Sequence, residues 1–450
     1  MREAKPVIPP IAGRSAILAL VAICGLALIL RVGAIALVGP VQDIAGYTES
    51  GLVAQNLVRG QGYTFDFFGL RTGNALRAFM PPLFVGLLYL CLRLSSQPAV
   101  LFAVVQAVFS TLVCIAVYWI AMELSGKRSV ALLSALATAC YPVLVLMVTV
   151  PVSLTLHLTI LAWALALTTT LTRRPAWGWA VAAGALWGIA VLGRPALASF
   201  LPLVVLWLWW NRGTNRGWLR SSVFLVGAAV LLVIPWTVRN YRTLGHFVPV
   251  STNGGFVFWN GNNPFTTGGG HDVYTAQLDQ YLGRPHDPAQ PAIRQVYPYP
   301  LPPEIQARVA TMDEVALDRE LLRAGLSFIK TQPRAWLALI GQKLIGFWWF
   351  RTNIGTAYEA SWTRYYKPVY IAVLVFVVAG LVVSAGEWRR YSILYLLFLS
   401  YTLTSAAFEV QTRYRWEIEP FFLIFAALYL VTVSATLRAS LPSYRSTAAN

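Results

Sequence analysis

Charge is scarce in this sequence. Only 12% of its 450 residues are charged and 57% are hydrophobic, whereas a soluble domain carries roughly 25% charged residues. That balance excludes an ordinary water-soluble enzyme and points to a polytopic membrane protein. Acidic residues are the scarcer kind, 18 against 35 Lys and Arg, for a formal charge of +17. The basic surplus forms no long block, so nucleic-acid binding is excluded. It stands instead in small clusters between apolar runs, the pattern that orients membrane proteins. Cysteine is rare as well. Cys24, Cys91, Cys114 and Cys140 all lie in apolar runs, without the pairing of a disulfide framework or the spacing of a zinc site. No HExxH or CxxC pattern occurs. The glycines of GQGY and NGGF lack a strand before them and a helix after, so no nucleotide fold is implied. No internal repeat and no cytoplasmic domain stand out.

What the sequence has in abundance is apolar length. Segments near 15–38, 98–121, 129–147, 152–171, 176–192, 196–210, 221–236, 369–385, 391–408 and 419–437 read as spans. The first follows a basic N-terminus but is too long for a signal-peptide core, so it is expected to be retained. Two further segments, 81–94 and 334–350, are ambiguous. Making 81–94 a crossing would put Lys127, Arg128, Arg173, Arg174, Arg212, Arg216 and Arg220 outside. The positive-inside rule therefore favours ten spans, both termini inside, and 81–94 and 334–350 lying on the outer leaflet. The expected organisation is an N-terminal transmembrane module over 1–236, with a first outer loop at 39–97. A large extracytoplasmic loop follows at 237–368, then C-terminal transmembrane helices over 369–450. The second loop is broken into turns by Asn-Gly, Asn-Pro and Gly-Gly, and its aromatics argue against disorder. The proline-rich part from 284 to 303 reads as a flap.

The first outer loop holds the residue most suited to chemistry. Asp43 stands just past the first span, after Gly39-Pro40, and a helical pattern follows with Ile44, Tyr47, Gly51, Ala54, Leu57 and Val58 on one face. Its carboxylate is either a general base at the membrane surface or the cap of that helix. Glu49 and Asp66 are the other carboxylates in reach. A set of cations also lies on the outer side: Arg71, Arg77, Arg239, Arg242, Lys343, Arg413 and Arg415. Outer loops normally carry few, so the set suggests a lipid phosphate or diphosphate. The plainer reading is contact with headgroups or pairing with Glu409, Glu417 and Glu419. Tyr47, Tyr63, Asn253, Trp259 and Asn262 are candidate sugar or acceptor contacts. Trp348, Trp349 and Trp362 suit an interfacial belt or stacking on a sugar ring. Arg31 is expected to snorkel, Arg194 to be a short-loop charge near the outer face, and His157 to be a packing residue.

The order of these features resembles a known family. A first span, a first-loop carboxylate, a GxGY turn and Pro81-Pro82 come first. A Gly-Arg-Pro, PWTVRNYRTLGHFVPVSTNGG with NGNNP, and RYRWEIEP follow. The sequence resembles the bacterial glycosyltransferase family 39 group, relatives of the dolichyl-phosphate-mannose protein mannosyltransferases and of the lipid A aminoarabinose transferases. The resemblance covers nearly the whole chain. It implies an all-α polytopic fold of the GT-C type, a bundle of about ten transmembrane helices with surface-lying helices in two large outer loops. It also implies an inverting transfer of a sugar from a polyprenyl-phosphate donor to a lipid, glycan or protein acceptor outside the cytoplasm of a bacterium. The family's catalytic base falls on Asp43. Arg77, Arg239, Lys343, Arg413 and Arg415 would serve the donor phosphate. No cofactor is required by this reading, and a divalent metal is left open. Two departures stand out: Ile44 replaces the second carboxylate of an Asp-Glu pair, and Met80 stands where relatives place a Lys before Pro-Pro, with Arg77 one turn earlier. A transporter or flippase would need ionisable residues deep in several spans. An oligosaccharide polymerase or ligase would lean on outer-loop Arg and His.

Overall fold

The computed structural model describes residues 13–66, 76–213, 216–296, 299–350 and 360–440, except for the side chains of 360–363 and 440. Nearly all of it is helix. In chain order the helices are α1 (Arg14–Val38), α2 (Glu49–Val58), α3 (Pro82–Leu94), α4 (Pro98–Ser125), α5 (Arg128–Cys140), α6 (Pro142–Leu146), α7 (Leu154–Thr170), α8 (Trp177–Gly193), α9 (Leu201–Trp210) and α10 (Trp218–Leu244). After these come α11 (Gly254–Gly261), α12 (Thr275–Tyr281), α13 (Pro303–Gln306), α14 (Glu314–Thr331), α15 (Pro333–Trp348), α16 (Ala360–Ser384), α17 (Trp388–Ala407), α18 (Thr412–Trp416) and α19 (Glu419–Ser440). The strands β1 (Asp272–Tyr274) and β2 (Ile293–Gln295) form one antiparallel ribbon, with Val273 opposite Arg294. The ribbon brings the expected flap segment onto the body of the expected second outer loop.

Each of the ten expected spans falls on a helix or a closely joined helix pair. Among the described residues, α1, α4, α10, the tract Arg364–Ala407 and Glu419–Ala439 are long and apolar enough to cross a membrane; the bent pair Arg128–Ala139 and Pro142–Thr149 makes a sixth. Pro142 bends that pair by 51°, because proline takes a hydrogen-bond donor out of a helix and crowds its preceding turn. The protein is an all-α polytopic membrane protein. The segments 81–94 and 334–350 are the helices α3 and α15.

Two hydrophobic cores organise the chain. One runs through the bundle and joins helices from both ends of the sequence, including Val117, Leu161, Trp187, Leu397 and Phe425. The other unites the two expected outer loops: Ile44, Val53 and Phe79 pack with Phe256, Trp259, Phe265 and Leu317. Small residues let the spans approach closely. A Cβ added at Gly184 would lie 2.1 Å from the Leu225 carbonyl, and one at Gly188 2.7 Å from that of Ala229. The pair, four residues apart on α8, therefore sets α10 backbone against backbone.

Arg31 departs from expectation. It does not snorkel but is fully buried. Its Nε donates to Ser110 Oγ at 2.7 Å and its Nη1 to the carbonyls of Ala27 and Ala139 at 2.9 Å. The α5–α6 break explains the preference, since a helix end leaves carbonyls such as that of Ala139 in need of a donor.

Candidate active site

The carboxylate nearest the first span is held in a turn of its own. Asp43 is exposed, and its Oδ1 accepts the Gly46 N–H at 2.7 Å. Oδ2 takes no hydrogen bond among the described residues. Two glycines press this turn into shape. A Cβ at Gly46 would fall 2.2 Å from Asp43 Oδ2, and one at Gly51 would fall 2.3 Å from the Ala45 carbonyl. The turn is also tied to the bundle, as Val41 N–H donates to the Thr149 carbonyl at 2.9 Å.

The helix after Asp43 starts later than its pattern suggests. α2 begins at Glu49, and its cap is Thr48, whose hydroxyl accepts from the Gly51 N–H. Asp43 is therefore not the cap, and Ile44 and Tyr47 lie in the turn rather than on the helix face. The reason is local: a buried Ile44–Ala45 pair beneath Gly51 cannot continue the helix backwards. Glu49 is half-buried in the first turn of α2, where a carboxylate suits the positive end of the helix dipole. Asp66 is exposed at the edge of the described residues. Arg71 lies outside them, as does the Trp362 side chain.

Three predicted residues, Arg77, Arg239 and Tyr63, come together. The buried Glu314 carboxylate accepts backbone N–H groups from Arg77 and Ala78, the latter at 2.9 Å, and the Thr252 hydroxyl at 3.1 Å. This fixes the backbone of Arg77 and leaves its side chain exposed. Arg239 stands on α10, which runs past Pro235 and out of the expected span. Trp236, Thr237 and Asn240 side chains bond to the carbonyls of 248–250 at 2.8–3.1 Å and hold those last turns. Arg239 Nη1 then donates to the Arg77 carbonyl at 2.7 Å, and its guanidinium lies over the rings of Tyr63 and Trp236 at 5.1 and 4.8 Å. Tyr63 in turn donates to the Met80 carbonyl at 2.8 Å. The Arg239 guanidinium is thus held between two aromatic rings and the backbone of Arg77, whose own side chain is exposed.

The C-terminal RYRWEIE segment divides its charges. Glu419 takes the wholly buried Arg415, whose Nε lies 2.8 Å away, together with the hydroxyls of Tyr141 and Tyr366. Arg415 also donates to the Phe347 and Trp349 carbonyls and lies 3.9 Å over the Tyr370 ring. Glu417 takes Arg194 at 2.5 Å and the Tyr401 hydroxyl at 2.8 Å, with His157 Nδ1 at 3.9 Å. Burial pushes the Glu417 carboxyl up, but Arg194, His157 and Tyr401 together outweigh it and hold it down at about 2. Arg413 is half-buried beside Tyr47, lowering the tyrosine's otherwise burial-raised pKa and so linking the first outer loop to this segment.

Lys343 meets Asn262 in a buried knot. Its ammonium donates to Asn262 Oδ1 at 3.0 Å and to the carbonyls of Ala406 and Phe408 at 3.1 and 2.6 Å. Asn262 binds the Phe258 and Ala407 carbonyls at 2.9 Å. Lys343 and Arg415 therefore have no exposed surface, while Arg77, Arg239 and Arg413 do. Trp259 is buried, bonding to the Pro300 carbonyl at 2.9 Å, and Asn253 accepts from Ser251 at 2.9 Å at the start of α11. Sequence reading missed the Arg194–Glu417 pair, because Gly-Arg-Pro and RYRWEIEP lie far apart in the chain. Among the described residues no group of three or more His, Cys, Asp or Glu side chains is placed to hold a metal ion.

This arrangement sits on a known architecture. The crystal structure of the Archaeoglobus fulgidus oligosaccharyltransferase tethered to an acceptor peptide overlays with a TM-score of 0.56 and 14% identity, covering 95% of this chain and 50% of that one. The fold is GT-C. The archaeal oligosaccharyltransferase AglB from the same organism, in complex with an inhibitory peptide and a dolichol-phosphate, overlays on this chain at 0.54 with 12% identity, covering 95% and 51%. Thus the chain spans about half the length of the archaeal enzyme. A looser overlap, at 0.39 with 15% identity and covering 94% and 78%, is with ArnT from Cupriavidus metallidurans bound to undecaprenyl phosphate. Residues 80–238 match the sequence profile of the family described as dolichyl-phosphate-mannose-protein mannosyltransferase. No curated protein matches the sequence.

Proposed function

We propose that this protein transfers a sugar from a polyprenyl-phosphate donor to a lipid, glycan or protein acceptor, with Asp43 as general base. The observation that carries this reading is the Asp43 turn, an exposed carboxylate with one oxygen fixed and the other uncommitted, just past the end of α1. A sugar or protein hydroxyl is a weak nucleophile at neutral pH, so a base that takes its proton as it attacks lowers the barrier. The acceptor oxygen bonds to the anomeric carbon, the bond from that carbon to the phosphate oxygen breaks, and the electron pair leaves with the phosphate. A single displacement of this kind inverts the anomeric centre.

The leaving phosphate gathers negative charge, which fixed guanidiniums stabilise best in a partly dry cleft. Arg77 and Arg239 are the pair we assign to it, with the half-buried Arg413 as a third cation. The burial of Lys343 and Arg415 supports a supporting role for them: they tie α15 to α18 and to the end of α17. Tyr47 and Tyr63 lie beside these cations and suit sugar contacts; Glu49 is the reserve carboxylate. The archaeal fold relative was captured with a dolichol-phosphate, which supports a polyprenyl phosphate here. The distribution of Lys and Arg supports an active site facing the outside of a bacterial plasma membrane.

The test is Asp43→Asn. Asparagine keeps the acceptor for Gly46 N–H but cannot take a proton. Transfer from polyprenyl-phosphate sugars should fall by roughly 10²–10⁴-fold, with the melting temperature unchanged. Full activity in a folded Asp43→Asn protein would end the assignment and pass the role to Glu49.

A further inference from the structure

The end of the bundle opposite the Asp43 loop holds a cavity of about 650 Å³ where α4, α7 and α9 end and α17 begins. Its walls include Glu123, Arg173, Trp207, Glu387, Arg389 and Arg390. That size suits a small polar ligand or a lipid headgroup. Two of the arginines are already engaged. Arg173 Nε lies 3.3 Å from Glu123 Oε2, and Arg390 Nη1 lies 3.2 Å from Glu387 Oε2. Arg389 has no carboxylate partner among the described residues, and its guanidinium lies 5.6 Å over the Trp388 ring. Arg212, over the Trp209 ring at 4.6 Å, borders the adjoining hollow, which shares Trp388 and Arg389.

Two buried polar atoms in this cavity have no hydrogen-bond partner among the described residues. Trp207 is 1% exposed, yet its indole N–H has no hydrogen-bond acceptor among the described residues. Glu123 is 5% exposed, and its Oε2 accepts no hydrogen bond despite the nearby Arg173. Buried donors and acceptors are nearly always satisfied in folded proteins, so a donor without an acceptor, in one cavity with a carboxylate oxygen held by an ion pair alone, marks what a ligand supplies. The donor, next to a free guanidinium, asks for an anionic oxygen. The acceptor asks for an ammonium or hydroxyl on the same ligand.

We infer that this cavity binds a phosphate-bearing headgroup that also carries a hydrogen-bond donor, as phosphatidylethanolamine and phosphatidylglycerol do. The phosphate oxygens meet Arg389 and the Trp207 N–H, and the ammonium or glycerol hydroxyl meets Glu123. The apolar helix ends and tryptophans around the mouth suit acyl chains better than a freely diffusing ion. The site is distinct from the Asp43 loop and does not rest on the transfer reaction.

The experiment is lipid titration of the full-length protein in detergent, read by native mass spectrometry. The probes are phosphatidylethanolamine, phosphatidylglycerol and phosphatidylcholine, with inorganic phosphate as competitor. The first two lipids should bind roughly tenfold more tightly than phosphatidylcholine, which lacks a donor for Glu123; that is the worth of one hydrogen bond to a charged group. Trp207→Phe removes the N–H together with part of the ring, so its melting curve is taken alongside, and Arg389→Gln removes the charge. Each should weaken binding by about the same factor. Displacement of the lipid by inorganic phosphate, lost in the same two variants, would support the site and give it to a soluble phosphate ester. Equal binding of all three lipids, or binding untouched by both substitutions in folded protein, would overturn the proposal.

Discussion

Single residues here act through what holds them. Asp43 is positioned by Gly46 and Gly51, which admit no side chain at their close contacts. Glu417 and Glu419 are two residues apart and serve different partners, Arg194 and Arg415, so the RYRWEIE segment reads as a clasp between helices. Arg194 and Glu417 are each more costly unpaired than absent, because a buried charge without its partner keeps the full desolvation penalty. Asp318 shows the opposite sign. Burial raises its carboxyl from 3.8 to about 6, partly offset by the Gly255 N–H at 2.6 Å. A raised folded-state value means that its contribution to stability is complete below 3.8 and is lost as pH rises through 6. Asp318→Asn keeps an acceptor for Gly255 and removes the charge. Its melting temperature should exceed the parent's at pH 7.5, and the gap should close below pH 4 or so. A gap that stays constant across that range would show that the charge is not the cause.

Among the elements, α8 and α10 give the clearest test of packing. Their approach rests on Gly184 and Gly188, not on large apolar side chains, since lipid tails compete with leucine as well as another helix does. Gly188→Ala would place a Cβ 2.7 Å from the Ala229 carbonyl and should cost about 1–3 kcal/mol. Gly178→Ala, at the start of the same helix, meets nothing within 4 Å and is the matched control. Thermal melts of both variants in one detergent separate a packing effect from a change in helix propensity. α10 matters for a second reason: displaced, it would carry Arg239 away from Arg77.

Over the whole molecule, orientation is the property that ties the site to a side of the membrane. Gly213 lies in the short link between α9 and α10, and Ala289 lies in the second outer loop; both are exposed. In a background cleared of the native cysteines, Gly213→Cys should react with an impermeant thiol reagent only after the cells are opened. Ala289→Cys should react in intact cells. Labelling of both from one side would overturn the ten-span topology.

The sequence alone determined the class of molecule and the order of its helices, because apolar length and the placement of Lys and Arg are local properties written directly in the chain. It also marked Asp43, a carboxylate stranded between a span and a helix. Only the tertiary structure decided the rest. The start of α2 moved to Thr48 because Ile44 and Ala45 are buried under Gly51, a contact that periodicity cannot register. Arg31, Lys343 and Arg415 look alike to composition as cations near helix ends, yet each is buried against carbonyls left open by a helix break or terminus elsewhere in the chain. Arg77 and Arg239 stand 162 positions apart, and nothing in either neighbourhood says that Glu314 and the turn at 248–250 would bring them to one place.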